Sequence, residues 1–229
     1  SDLTRTFLKL DEIRFSNVTE TDTLDLGLEN FSIVTRMRND TLFARLKWDD
    51  KLDADRNKAH IETYFHPHES GGIFSITQGE VCINDSVWTI SPNNFINLMG
   101  QRELISNMMF SHNRQFIRVD GYVPMNDGDT ISLQMRDFDI SNLDFYFLSK
   151  GFNLDGLVSG NATVSTIKTN PMLLADLDVV DLCVNADTIG DAKIESVWDN
   201  ANRAVKLNAN IFDKEKRMLN AYGSYYTDR

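Results

Sequence analysis

The sequence predicts an all-β protein, mainly antiparallel, built as an extended curled sheet or a sandwich-like packing, with one short helix near residues 139–150. Three observations predict it. Apolar and polar residues alternate over most of the chain, the period of a strand with one dry and one wet face. Acidic, asparagine and glycine pairs punctuate these runs, at a spacing of roughly 10–14 residues in the last third, as in an all-β meander. Only one segment carries helical spacing.

In chain order, Leu24, Leu26 and Leu28 alternate, and Phe31 and Ile33 resume on the other parity, which calls for a bulge or turn near Glu29 and Asn30. Leu42, Ala44, Leu46 and Trp48 form the clearest early strand, with Ile61, Thr63 and Phe65 as its return after a turn at Asp49-Asp50. The run His66-Pro67-His68-Glu69-Ser70-Gly71-Gly72 is expected to break the ladder, since proline lacks a donor and glycine is permissive. Phe74 and Ile76, Val81 and Ile83, and Trp88 and Ile90 make three short strands, the last two joined at Asn84-Asp85.

From Arg114 to Thr166 the expected order is strand, acidic-glycine turn, strand, short helix, strand. The apolar positions are Ile117 and Val119; Ile131, Leu133 and Met135; then Val158, Ala162 and Val164. Between them Ile140, Leu143, Phe147 and Leu148 recur at helical spacing, with Asp139 or Ser141 as cap and Gly151 as the C-terminal stop. The last third is the most regular: Leu173 to Val179 alternate, parity then shifts to Leu182 and Val184, and Ala192 to Trp198, Val205, Leu207, Ala209 and Ile211, then Leu219 to Tyr225 follow. Its turns are expected at 189–191, 199–202 and 213–216. Arg45-Leu-Lys-Trp-Asp-Asp and Glu195-Ser-Val-Trp-Asp-Asn share a strand, Trp, Asp, turn pattern, which suits a sheet grown by repeating hairpins.

The formal charge is −11, with 34 acidic against 23 basic residues. That argues against a duplex nucleic-acid partner, which is held by Lys and Arg on phosphates. No basic stripe stands out in the linear sequence, so an anionic membrane surface is an equally poor partner on this reading. No apolar run reaches the length of a membrane-spanning helix. A start at Ser1 without a leader suits a processed chain or an excised piece. Cys82 and Cys183 sit at polar-parity positions, as small semi-buried side chains or as a disulfide pair.

Signals for chemistry are thin. His66 and His68, with Glu69 beside them and His60 and Glu62 on the preceding strand, lack a third metal ligand at a convincing spacing. Carboxylate pairs for glycoside hydrolysis are too easily found among so many acids. Asp127-Gly-Asp and Asp155-Gly are turn chemistry first, and the EF-hand order is absent. There is no phosphate loop, nucleophile elbow or Cys/His pairing. The expectation is a protein without catalysis, cofactor or nucleic acid.

What remains is the dry face. So many alternating strands leave a long apolar surface that one short helix cannot cover. Either the sheet buries it against itself in a sandwich, or it curls into a groove for an apolar guest. An acyl chain of about 15 methylenes gains on the order of 12 kcal/mol on leaving water, at ~0.8 kcal/mol each. The proposed groove face is Ile117, Val119, Ile131, Leu133, Met135, Val158, Ala162, Val164, Val205, Leu207, Ala209 and Ile211. A sandwich that binds a carbohydrate or a protein is the rival, and a solvent-facing aromatic cluster would favour it.

Several stretches resemble the TamB family, the inner-membrane-anchored subunit of the translocation and assembly module. They are Val119-Asp-Gly-Tyr-Val, Asp129-Thr-Ile-Ser-Leu-Gln-Met-Arg-Asp-Phe-Asp-Ile, Gly151-Phe-Asn-Leu-Asp-Gly-Leu-Val-Ser-Gly-Asn-Ala, Trp198-Asp-Asn and Ala221-Tyr-Gly-Ser-Tyr. The resemblance covers Phe74 to Tyr226, which suggests a looser segment over 1–72 and a TamB-like sheet over 73–229, or one continuous domain. It implies a periplasmic part of a Gram-negative envelope protein with a long curled sheet. It further implies a role in outer-membrane protein assembly or phospholipid transport, with acyl chains as guests. A barrel partner would be met by regions outside this chain.

Overall fold

The computed structural model describes residues 5–19, 22–49, 58–83, 86–98, 100, 102–126, 128–143, 151, 153–165, 172–185, 187–199, 201–214 and 216–226. The fold is all-β: over these residues there are fifteen strands, antiparallel in every resolved pairing, and one 3-10 turn. The chain forms two compact units, Ser1–Asn113 and Arg114–Arg229. Residues 72 and 73, where the resemblance suggested a division, lie inside a strand, so the fold has no break there.

The first unit contains β1 (Arg5–Thr19), β2 (Asp22–Arg38), β3 (Thr41–Trp48), β4 (Lys58–His68), β5 (Gly71–Ile83), β6 (Ser86–Ile90), β7 (Phe95–Asn97) and β8 (Leu104–His112). From β1 to β6 each strand pairs with the next; β8 pairs with β6, and β7 bridges β5 and β8. Asn39 and Asp40 turn the β2–β3 hairpin with φ of 48° and 54°, the left-handed conformation that Asn and Asp tolerate best. Leu42, Leu46 and Trp48 stand opposite Phe65, Ile61 and Ala59, and Val81 stands opposite Trp88, so the alternation of the early strands maps onto one face. The ladder is not broken at Pro67. It pairs with Gly72, and the turn falls at Glu69 and Ser70. The Asn84-Asp85 turn and most of the turn after Asp49 lie outside the described residues.

The second unit is a meander: β9 (Gln115–Tyr122), β10 (Thr130–Asp139), the 3-10 turn Ile140–Leu143, β11 (Leu154–Ser165), β12 (Met172–Val184), β13 (Asp187–Asp199), β14 (Ala204–Asp213) and β15 (Lys216–Tyr226). The helix expected near 139–150 is, over the described residues, this single turn. Phe147 and Leu148 lie outside them. Asp139 does cap it: its carboxylate accepts from Ser141 N at 2.9 Å and Ser141 Oγ at 2.6 Å. The turn expected at 189–191 is a strand interior instead, because the hairpin closes at Asn185 (φ 51°).

Extra residues interrupt the ladders of this unit at nearly one level. They fall between Met135 and Phe138 on β10, between Val179 and Leu182 on β12, beside Gly190 on β13, and between Leu219 and Arg217 on β15. A bulge bends its strand and raises the local twist. Bulges at one level of four strands therefore crease the sheet along a line crossing the strands. Next-nearest strands of a flat sheet are about 9.5 Å apart, yet Cα atoms of β12 and β14 come within 8 Å. The sheet is curled around β13.

Candidate functional site

Cross-strand register assembles the dry face of the second unit row by row. One row runs Val119, Leu133, Ala162, Ala175, Ser196, Leu207, Gly223. The next runs Ile117, Met135, Gly160, Leu177, Ile194, Ala209, Ala221. Beyond the bulge on β10 comes Phe138, Val158, Val179, Ala192, Ile211, Leu219. On the other flank Ile131 meets Val164, Val164 meets Leu173, and Trp198 meets Val205. All twelve residues read from the sequence as a groove face stand on this one face. The rows contain no charged side chain, as contact with hydrocarbon requires. The hydroxyl of Ser196 is internally satisfied, donating to Leu173 O at 2.9 Å and accepting from Ala175 N at 2.7 Å.

Register also adds members that were not among the twelve. Leu173, Ala175, Leu177, Val179, Ala192, Ile194 and Trp198 alternate plainly in the sequence, and only their assignment to the same face as β10 and β11 needed the pairing. Phe138 is different: it follows Met135 by three residues, so simple alternation puts it on the wet face. The bulge at Arg136-Asp137, with Asp137 at φ 48°, turns it inward, where it is 5% exposed.

The face is closed at its middle and open toward the last strands. Val158, Val179 and Ala192 form a buried cluster with Met135, Ile140, Leu177, Leu182, Ile194 and Ile211 packed against it. Among the described residues of this unit, elements in substantial contact are neighbours in the sheet, apart from the 3-10 turn on β11 and the approach of β12 to β14. Among the described residues, Ile140 packs against this cluster and no second sheet does. Toward β15 the face opens: Leu173 is 52% and Leu207 47% exposed. There a depression of about 380 Å3 is lined by Leu173, Ser196, Val205, Leu207, Gly223 and Tyr225.

The reverse face is polar. Arg118, Gln134, Asn161, Asp176, Glu195 and Asn208 follow one another across the strands. Lys193 sits among Asp176 (2.9 Å), Asp178 (3.6 Å) and Glu195 (3.8 Å), and the hydrogen bond to Asp176 leads the causes that raise its pKa.

The histidines of the first unit serve local contacts. His66 Nδ1 bonds to Thr41 Oγ1 at 2.9 Å, and its ring meets that of His68 edge-on at 5.0 Å. Glu62 is held by Arg45 at 2.7 Å, with His60 Nε2 at 3.4 Å; the Arg45 guanidinium is the main reason its carboxyl lies below the usual range. Among the described residues no three His, Cys, Asp or Glu side chains gather as a metal site. Cys82 is buried in the first unit and Cys183 half-buried in the second, and both are free thiols, so the disulfide alternative does not hold. Trp48 and Trp198 of the sequence echo do occupy matching places. Each stands at or next to the end of its strand, beside an aspartate that an asparagine side chain binds: Asn30 of β2 to Asp49 at 2.6 Å, Asn202 of the following turn to Asp199 at 2.7 Å. Comparison of the chain with protein-family models, with curated proteins and with solved structures finds no match.

Proposed function

We propose that this chain is a non-catalytic scaffold segment of the TamB type, placed in the periplasm, whose second unit holds phospholipid acyl chains along its dry face. The observation that carries the reading is the face itself: apolar or small residues throughout four rows, one internally satisfied hydroxyl, no charge and, among the described residues, no second sheet over it. Removing an acyl chain from water is worth about 0.8 kcal/mol per methylene, and an uncharged concave sheet supplies that burial without leaving a polar group unpaired. The resemblance of the strand and turn residues to TamB supplies the setting, outer-membrane biogenesis with a barrel partner met elsewhere in the longer protein.

A photoreactive residue at Leu133, on the dry face, is compared with one at Gln134, on the wet face, in intact Gram-negative envelopes. Phospholipid adducts at Leu133 and not at Gln134 are the expected outcome. Equal labelling at both, or none with both variants folded, would sink the reading.

A further inference from the structure

Basic side chains that are dispersed in the sequence come together on the wet face of the first unit. Arg5 stands opposite Arg36, and Lys9 opposite Ser32, which in turn faces Lys47. Val34 faces Arg45, and Arg38 follows Arg36 at the same parity. Residues directly opposite in an antiparallel pair share a face, so Arg5, Lys9, Arg36, Arg38, Arg45 and Lys47 form one block over β1, β2 and β3, all exposed. Arg45 is bound to Glu62 of β4. Among the described residues, no carboxylate forms an ion pair with the other five.

Two like charges directly opposite repel, and the Arg5–Arg36 pair stands in a chain whose formal charge is −11. Aromatic rings are interleaved with the cations: Phe7 is 62% exposed and Phe43 is 36% exposed, with the Arg36 guanidinium 5.6 Å above the Phe43 ring. Arg5, Arg36 and Arg45 converge on a depression of about 320 Å3.

We propose that this face docks onto an anionic phospholipid surface. The guanidinium forks take headgroup phosphates bidentately, Lys9 and Lys47 add point charges, and the edges of Phe7 and Phe43 enter the acyl boundary. Several Lys and Arg on one surface are the footprint that anionic lipid selects. A single-stranded nucleic acid would need a row of free ring faces for stacking, and Arg36 already covers one face of Phe43. Asp11, two residues beyond Lys9, and Glu62, bound to Arg45, stand on the same face, so the net charge of the block is positive but reduced; carboxylates farther than about 8–10 Å from the bilayer are screened at physiological salt. The docking face is separate from the groove of the second unit and does not depend on it.

The test is flotation of the whole chain with phosphatidylcholine vesicles with or without phosphatidylglycerol. The chain should float with the anionic vesicles only and be released by added salt. Each cation removed should weaken binding about fivefold, so R5Q/R36Q/K47Q should lose on the order of 100-fold, while R36K/K47R keeps it. If circular dichroism shows the triple variant misfolded, K9Q/K47Q, on exposed positions, replaces it with a smaller expected loss. Q134A, on the polar reverse face of the other unit, should float like the wild type. Equal flotation with neutral vesicles, no flotation at all, undiminished binding of the cation-depleted variants, or displacement from vesicles by a single-stranded oligonucleotide would overturn the proposal.

Discussion

Asp199 shows how much of this fold is held by turn chemistry. Its carboxylate is bound by Lys206 Nζ at 2.6 Å, by Asn202 Nδ2 at 2.7 Å and by the amides of Ala201 and Asn202. Lys206 first, then Asn202, holds its carboxyl well below the ordinary aspartate range. A carboxyl whose pKa is lowered by folding adds stability that is present above the unfolded value, about 3.9. That stability drains away as pH falls from there toward the folded value. Urea midpoints at pH 6 and pH 3 should therefore differ less in D199N than in the wild type. High salt should shrink the wild-type contribution, since Lys206 is 55% exposed. An unchanged pH dependence in D199N would refute this role. Asp129 is a second such residue, 1% exposed, its carboxylate accepting from Asn126 N at 3.0 Å and Asn126 Nδ2 at 3.1 Å. D129A strands those donors and should cost about 1–3 kcal/mol by chemical denaturation.

At the scale of the strand, two glycines decide how tightly neighbours approach. Gly160 on β11 has φ 137°, and a Cβ there would collide with the carbonyl oxygen of Asp176 on β12. Gly190 on β13, φ 111°, has the carbonyl oxygen of Phe212 in the same place. Side chains at such positions must both adopt an unfavourable φ and push a ladder apart. G160V should lose about 1–3 kcal/mol of stability, read as a lower urea midpoint. G223A, on the same face at open β15 with nothing near its Cβ, should change little. Equal effects of the two substitutions would remove the packing explanation. Gly190 also shows why a glycine next to an aspartate misleads a sequence reading. The pair is a turn signal in most contexts, and only pairing tells that here it marks a close approach inside a strand.

At the scale of the second unit, curvature divides the dry face into a closed middle and an open end, and the same substitution should behave differently in each. V179D places a charge in a site 5% exposed and should unfold the unit, on the order of 3 kcal/mol or more. L173D, at 52% exposure, should fold and yet lose uptake of a fluorescent fatty acid. Retained uptake by a folded L173D would separate the guest from this face.

The alternation of apolar residues determined the all-β class and the positions of most strands, because a period of two is written into single strands and needs no partner; β1, β7 and β8 were not read, and β5 was read as two strands. That the twelve listed residues share one face was readable for the same reason, and so was the Asp139 cap, which is local. Pairing and curvature were decided only in the folded molecule. One extra residue on β10 turns Phe138 inward, bulges at nearly one level interrupt the ladders, and among the described residues no second sheet packs on the face of the second unit. The basic face of the first unit was hidden for the converse reason. Its cations stand at every second or fourth place on three different strands, diluted by dry-face residues, so a linear scan finds no stripe. Cross-strand register, a property of residues far apart in the chain, brings those charges together.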